Sequence, residues 1–190
     1  MVKFDVSLSL DDLGNNCFNL IDPLNLYIKS YPNLLKATSF LIKEMKSDSL
    51  VAIAHLAYGW MPTILKKIDI SAHNNNYFLT AATVSSYKEA NNFLYNLEKP
   101  PINNSWVGTS KVLHFINPHF FPIWDSKVGK HFEITSYLKL KDKNNFMNYI
   151  NFVEIHSEDN IVLKVQKEFK KRTKYNVTKT RACEFILFSS

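Results

Sequence analysis

Residues 106–132 read Trp-Val-Gly-Thr-Ser-Lys-Val-Leu-His-Phe-Ile-Asn-Pro-His-Phe-Phe-Pro-Ile-Trp-Asp-Ser-Lys-Val-Gly-Lys-His-Phe, and this stretch decides how the chain is read. Asn103, Asn104, Trp106 and Gly108 suggest a hairpin, followed by a short helix from Thr109 to Ile116. Asn117-Pro118 stops that helix. Pro122 holds Phe121 extended. Asp125 then reads as the N-cap of a further helix carrying Val128, Phe132 and Tyr137. Two helix starts joined by a proline-rich turn bring Lys111 and Asp125 towards one cleft.

The flanks read as helix too. Pro32 suits a first helical turn, with Leu34, Leu35, Phe40, Leu41 and Met45 following at helical spacing. Ser47 or Asp48 caps a second helix whose residues Leu50, Val51, Ala54, Leu56, Ala57 and Met61 predict near-complete burial. Pro62 kinks or ends it, with Thr63 to Ile68 continuing. His73 to Asn76 forms a turn cluster, and residues 77–98 give one or two helices before Pro100-Pro101. Three more helices are expected near 142–155, 159–174 and 179–188. Period-2 alternation is confined to Phe4 to Leu10. The prediction is a compact all-α, multi-helix domain over 1–190, as one body or as lobes 1–98 and 99–190, with a helix-hairpin-helix-like element around residues 86–116.

Composition narrows the class. The chain has 190 residues, of which 46% are hydrophobic and 21% charged. That is long enough for a sizeable core and too apolar for a disordered chain. Leu50 to Trp60 is the longest apolar run and falls far short of the roughly 20 residues that span a bilayer. Met1 to Asp12 holds three aspartates and one lysine, unlike a leader peptide. No membrane association and a cytoplasmic location are expected. Cys17 and Cys183 read as reduced thiols in or near the core. The six histidines show no metal-ligand spacing, so neither metal nor cofactor is expected.

The formal net charge of +6 is uneven. Residues 1–95 carry eight lysines and eight acids, whereas residues 96–190 carry fifteen basic and nine acidic side chains. In one run, Lys164, Lys167, Lys170, Lys171, Arg172, Lys174, Lys179 and Arg181 face only Glu168. Such a run attracts phosphates, although a solvated helix face produces the same pattern. Only two of the 23 basic residues are arginine. Lysine attracts phosphate without bidentate base readout, so a nucleic-acid partner would be bound by its backbone.

The 106–132 stretch resembles the helix-hairpin-helix DNA glycosylases, whose hairpin reads roughly G-V-G-x-K and whose later V-D-x-H-V carries an aspartate. The matching elements here are Val107-Gly108-Thr109-Ser110-Lys111 and Trp124-Asp125-Ser126-Lys127-Val128. Ser105-Trp106 stands where the family has its first glycine, Lys111 falls one residue late, and Lys127 replaces the histidine. The resemblance implies DNA as partner and a glycosylase that flips a base and cleaves its N-glycosidic bond. Lys111 would be the amine nucleophile and Asp125 the carboxylate. Gly108, Thr109 and Ser110 would hold phosphate, joined by Lys127, Lys130, Lys167, Lys170, Lys171, Arg172 and Lys174. Trp60, Trp106, His114, Phe120 and Trp124 would supply wedge and pocket. Each residue also has a plain reading: Asp125 as a helix cap, Lys111 as a surface lysine, His114 and the aromatics as core. Arg181 and Glu184, three apart, read as a surface or partly buried pair. The alternatives are a nucleic-acid-binding domain without catalysis and an all-α protein-interaction module.

Overall fold

The computed structural model describes residues 8–44, 48–61, 63–69 and 77–190. Ser47, Met45, Pro62, the His73–Asn76 cluster and most of the Phe4–Leu10 alternation lie outside them. The fold is all-α. Among the described residues the only extended pairing is an isolated antiparallel bridge between Ile68 and Ile102.

The first helices form the base of the molecule. Helix α1 (Leu10–Cys17) packs on the two C-terminal helices. Helix α2 spans Leu26–Glu44. It starts well before Pro32 because the Asn25 side chain caps it, accepting from the Tyr27 and Ile28 amides at 3.0 and 3.3 Å. Pro32 therefore lies inside the helix rather than in its first turn. Phe40, expected to face the core, is 65% exposed. Helix α3 (Ser49–Trp60) buries Leu50, Ile53, Ala54 and Ala57. It ends at Trp60, and residues 63–67 are irregular rather than helical. Their backbone runs beside residues 101–103 instead, with Asp69 N–H donating to Pro101 O and Asn103 N–H to Lys67 O, both at 2.8 Å.

Residues 77–79 are helical and pass into a 3-10 turn, Thr80–Thr83. Helix α4 (Tyr87–Asn96) follows, capped by Ser86. The connection to α5 contains Asn103 and Asn104, both in the left-handed region with φ of 54° and 48°. Asparagine tolerates that conformation. Helix α5 spans Trp106–Ile116, so the helix begins three residues earlier than expected and Gly108 sits within it. The 86–116 element is thus two helices joined by a long, bridged connection, not by a glycine hairpin.

Two short helices come next, α6 (Ser126–Lys130) and α7 (Tyr137–Leu140). The single helix expected after Asp125 is broken at Glu133, whose φ is 57°. Gly129 explains the tight return, since a Cβ there would lie 3.0 Å from Ile134 O. Helices α8 (Lys143–His156), α9 (Asn160–Thr173) and α10 (Lys179–Ser189) then fall within two residues of their expected bounds. Helix α9 shows why: it buries Ile161, Val162, Val165 and Phe169 while most of its other positions are charged or polar. One cluster of buried side chains runs from Leu10 to Leu187 and joins both halves of the chain. Cys17 and Cys183 are free and buried within it.

Candidate functional site

Helix α5 and the turn that follows it are joined by one hydroxyl. Ser110 Oγ accepts the Trp124 N–H at 2.9 Å and lies 3.2 Å from Trp124 O and 2.9 Å from Val107 O. Trp124 is fully buried and its indole N–H donates to Leu140 O at 3.0 Å. Fixing Ser110 to Trp124 brings the next residue of each segment, Lys111 and Asp125, into one neighbourhood.

Lys111 is 6% exposed. Its Nζ donates to Thr63 Oγ1 at 3.4 Å and lies 5.7 Å from the centre of the Tyr58 ring. Thr63 itself is exposed, so the amine stops just beneath the surface. Burial lowers its pKa, and the Asp125 charge opposes that shift more weakly. Among the described residues no carboxylate forms an ion pair with it. Asp125 is half-buried and caps α6, its Oδ1 accepting from the Lys127 and Val128 amides at 2.9 Å each. The capping role does not remove its charge from the amine.

The expected phosphate ligands on α5 are enclosed. Thr109 and Ser110 are fully buried, and Gly108 is buried as well. A Cβ on Gly108 would lie 2.3 Å from Tyr58 Oη and 2.9 Å from Ile102 O. The glycine therefore permits close packing of α5 on α3 rather than an outward-facing amide cradle. Tyr58 also accepts from Asn103 Nδ2 at 3.2 Å, and burial pushes its hydroxyl up to about 12. Lys127 and Lys130 are exposed on α6, with Lys127 Nζ 4.2 Å from the Phe188 ring centre.

His114 is bonded to a different set of groups from Lys111. It is fully buried between Tyr31 Oη and Phe121 O, each 2.8 Å from a ring nitrogen. A carbonyl only accepts, so Nδ1 carries the proton and Nε2 accepts from Tyr31. Burial and the Arg181 charge depress its pKa to about 3. Arg181 and Glu184, expected as a surface or partly buried pair, form an ion pair that is buried. The guanidinium lies 5.3 Å from the Tyr31 ring centre and 5.5 Å from that of Trp60. Burial pushes the Glu184 carboxyl up to about 7, with Arg181 pulling the other way. Neither residue is available to a phosphate. Tyr31, Tyr58 and Thr63 complete this centre, and nothing in their sequence context distinguishes them from ordinary core or loop residues.

The expected pocket residues do not converge. Trp106 and Trp124 are core, and Phe120 packs edge-on against Tyr87 at 5.3 Å. Trp60 is half-buried and lines a groove of about 560 Å³ between α2 and α3.

Helix α9 presents the opposite picture. Lys164, Lys167, Lys170, Lys171, Arg172 and Lys174 are all exposed. Glu168 pairs with Arg172 at 2.5 Å and Lys171 at 3.7 Å, and Lys179 pairs with Glu158. Lys170 and Lys174 Nζ donate to main-chain oxygens at the helix end, Lys174 O and Lys171 O. Among the described residues Lys164 and Lys167 form no ion pair. Lys164, Lys167 and Lys171 follow at intervals of three and four, which puts them on one helical face, and Lys174 lies just past the helix end in the left-handed region.

Among the described residues no group of three or more His, Cys, Asp or Glu side chains could hold a metal ion. No helix among them is long and apolar enough to cross a membrane. No protein-family model, curated protein or solved structure matches this chain.

Proposed function

We propose that this protein binds nucleic acid through the phosphate backbone, using the exposed lysine face of α9. The observation that carries this reading is the position of Lys164 and Lys167. Cations in the last turn of a helix are favoured by its dipole, which accounts for Lys170, Lys171 and Arg172 without any ligand. Lys164 and Lys167 lie earlier in α9 and gain little from that effect. Their face is continuous with Lys171, and Glu168 is the only acid between Asn160 and Thr178. Lysine-only contacts supply attraction without base recognition, so the binding is indifferent to sequence. Titrating a fluorescent oligonucleotide with the protein at rising salt tests this. Affinity should fall linearly on logarithmic axes, by about 0.9 per phosphate neutralised on duplex.

A second reading adds chemistry to the binding, and the buried amine of Lys111 favours it. An amine kept off the surface with a lowered pKa supplies the free base that Schiff-base attack on a sugar C1′ requires. Asp125, one helix cap away, would stabilise positive charge developing on that sugar. In this reading the protein is a glycosylase with lyase activity. Borohydride should then trap a covalent adduct on abasic-site DNA, and Lys111→Met should abolish it. The same substitution removes a buried charge without a carboxylate partner, so it should leave the fold unchanged or up to ~2 kcal/mol more stable. Absence of any adduct with the wild-type protein rejects the catalytic reading and leaves the binding reading intact.

A further inference from the structure

Pro32 interrupts α2 from within. It has no N–H to give to the carbonyl of Ile28, four residues earlier. Tyr175 Oη donates to that carbonyl instead, at 2.9 Å. On the adjacent residue, Trp60 Nε1 donates to Tyr27 O at 3.0 Å. Two aromatic side chains from distant parts of the chain are thus attached to successive carbonyls of one helical turn. Tyr175 immediately follows Lys174, the residue that ends α9. Trp60 lines the groove between α2 and α3, with Leu26, Tyr27, Leu34, Leu56 and Gly59. The segment that follows α9 and the groove-lining Trp60 are therefore both tied to one turn of α2.

The groove has a definite chemistry. At about 560 Å³ it falls in the range of small-molecule sites. Its lining is mostly aliphatic and aromatic, with Ser30 and His55 as its polar members, and Tyr27 meets Trp60 edge-on at 5.9 Å. The Trp60 ring is backed by the buried Arg181 guanidinium and by the Phe115 ring at 5.3 Å. Its N–H is already used. What it offers the groove is π surface, without a donor. Gly59 leaves the mouth open, since a Cβ there would meet nothing within 4 Å. A flat ring satisfies such a site better than an ion or a polar chain does. A run of lysines whose following residue, Tyr175, is bonded to the same turn of α2 favours a flat ring attached to a phosphate backbone.

We propose that the groove between α2 and α3 stacks an unpaired base of a single-stranded nucleic acid whose phosphates lie along the α9 lysines. The proposal rests on the phosphate-binding reading and adds strand selectivity to it. Stacking on a donor-free ring is tolerant of base identity, which agrees with the scarcity of arginine.

Fluorescence anisotropy with a labelled twelve-residue oligo(dT) and a twelve-base-pair duplex tests it. Gly59→Leu fills the open mouth and replaces a glycine within a helix by a better helix former. It should weaken oligo(dT) binding by about tenfold and leave duplex binding unchanged, the loss expected for one stacked base. Equal affinities of the variant and wild type for oligo(dT) overturn the proposal. So does a change confined to self-association in sedimentation, which would make the groove an interface between copies. Lys167→Glu separates the two layers. If it changes neither ligand's binding, the phosphate-binding reading fails first. The wild-type protein gives an independent readout, because Trp106 and Trp124 are 4% and 0% exposed and Trp60 is the accessible tryptophan. Oligo(dT) should quench its fluorescence and an abasic strand of equal length should not. Equal quenching by both strands contradicts base stacking.

Discussion

The stretch from Trp106 to Phe132 and helix α9 are both rich in polar side chains, and the fold uses them in opposite ways. In the first, Ser110, His114 and Asn117 are turned inward and bonded to backbone or to buried partners. In α9, the apolar face is buried and the lysines remain in solvent. A motif-like string of Gly, Ser, Lys, His and Asp is thus largely a device for joining α5 to the turn after it. Only Lys111 and Asp125 retain chemical potential there. The plainer helix, without any motif, supplies the charge that a ligand can reach. Residue type advertises chemistry, but burial decides which groups are free to perform it.

The contrast can be broken most forcefully at Gly108. If its purpose is close packing on Tyr58, Gly108→Ala should destabilise the fold by about 3 kcal/mol, read from chemical denaturation. A near-neutral result would return Gly108 to the role of a surface anchor. His114→Gln comes next, with a loss of about 2 kcal/mol at neutral pH from two disturbed buried hydrogen bonds. Its pH dependence is also determined. The folded pKa of about 3 lies below the unfolded value, so the unfolded chain binds the extra proton between them. The wild type should therefore lose its advantage over the variant as pH falls from about 6.5 towards 3. Thermal melts across that range would show it, and a constant difference would contradict a neutral His114.

Asp125 sharpens the comparison at lower amplitude. Asp125→Ala should cost about 1 kcal/mol through the lost cap, whereas Asp125→Asn should cost little because asparagine caps equally well. If Asp125→Asn nevertheless abolishes adduct formation, the charge matters beyond the cap. The smallest effect on stability is expected on α9, where charge reversal at Lys164 and Lys167 should stay within about 0.5 kcal/mol. A larger loss would mean that those lysines hold the fold together.

Much of the fold is legible in the sequence, and the exceptions have physical causes. Helices α8 to α10 are readable because their apolar residues repeat at helical spacing, and Asp142 and Thr178 cap α8 and α10. Pro32 misleads because a proline usually starts a helix, while here Tyr175 takes over the carbonyl that it leaves vacant. Residues 63–68 look helical by composition but pair with 101–103, a contact that no local pattern announces. At the site, Asp125 as a cap and the proximity of Lys111 are readable from order and spacing. The burial of Gly108, Thr109 and Ser110 is not, because it depends on Tyr58 and Ile102 arriving from elsewhere. The α9 lysine face is readable in full, since amphipathicity alone directs it to solvent.

The α9 face, not the motif-like stretch, is the surface expected to engage the ligand. The direct test of this is the salt dependence of oligonucleotide affinity for the wild type and for a Lys164→Glu, Lys167→Glu, Lys171→Glu triple variant. The wild type should bind in low salt with a logarithmic slope of about −3 on duplex, and the variant should lose that slope and at least ~100-fold in affinity. Identical slopes and affinities for the two proteins, or no binding by the wild type in low salt, would contradict it.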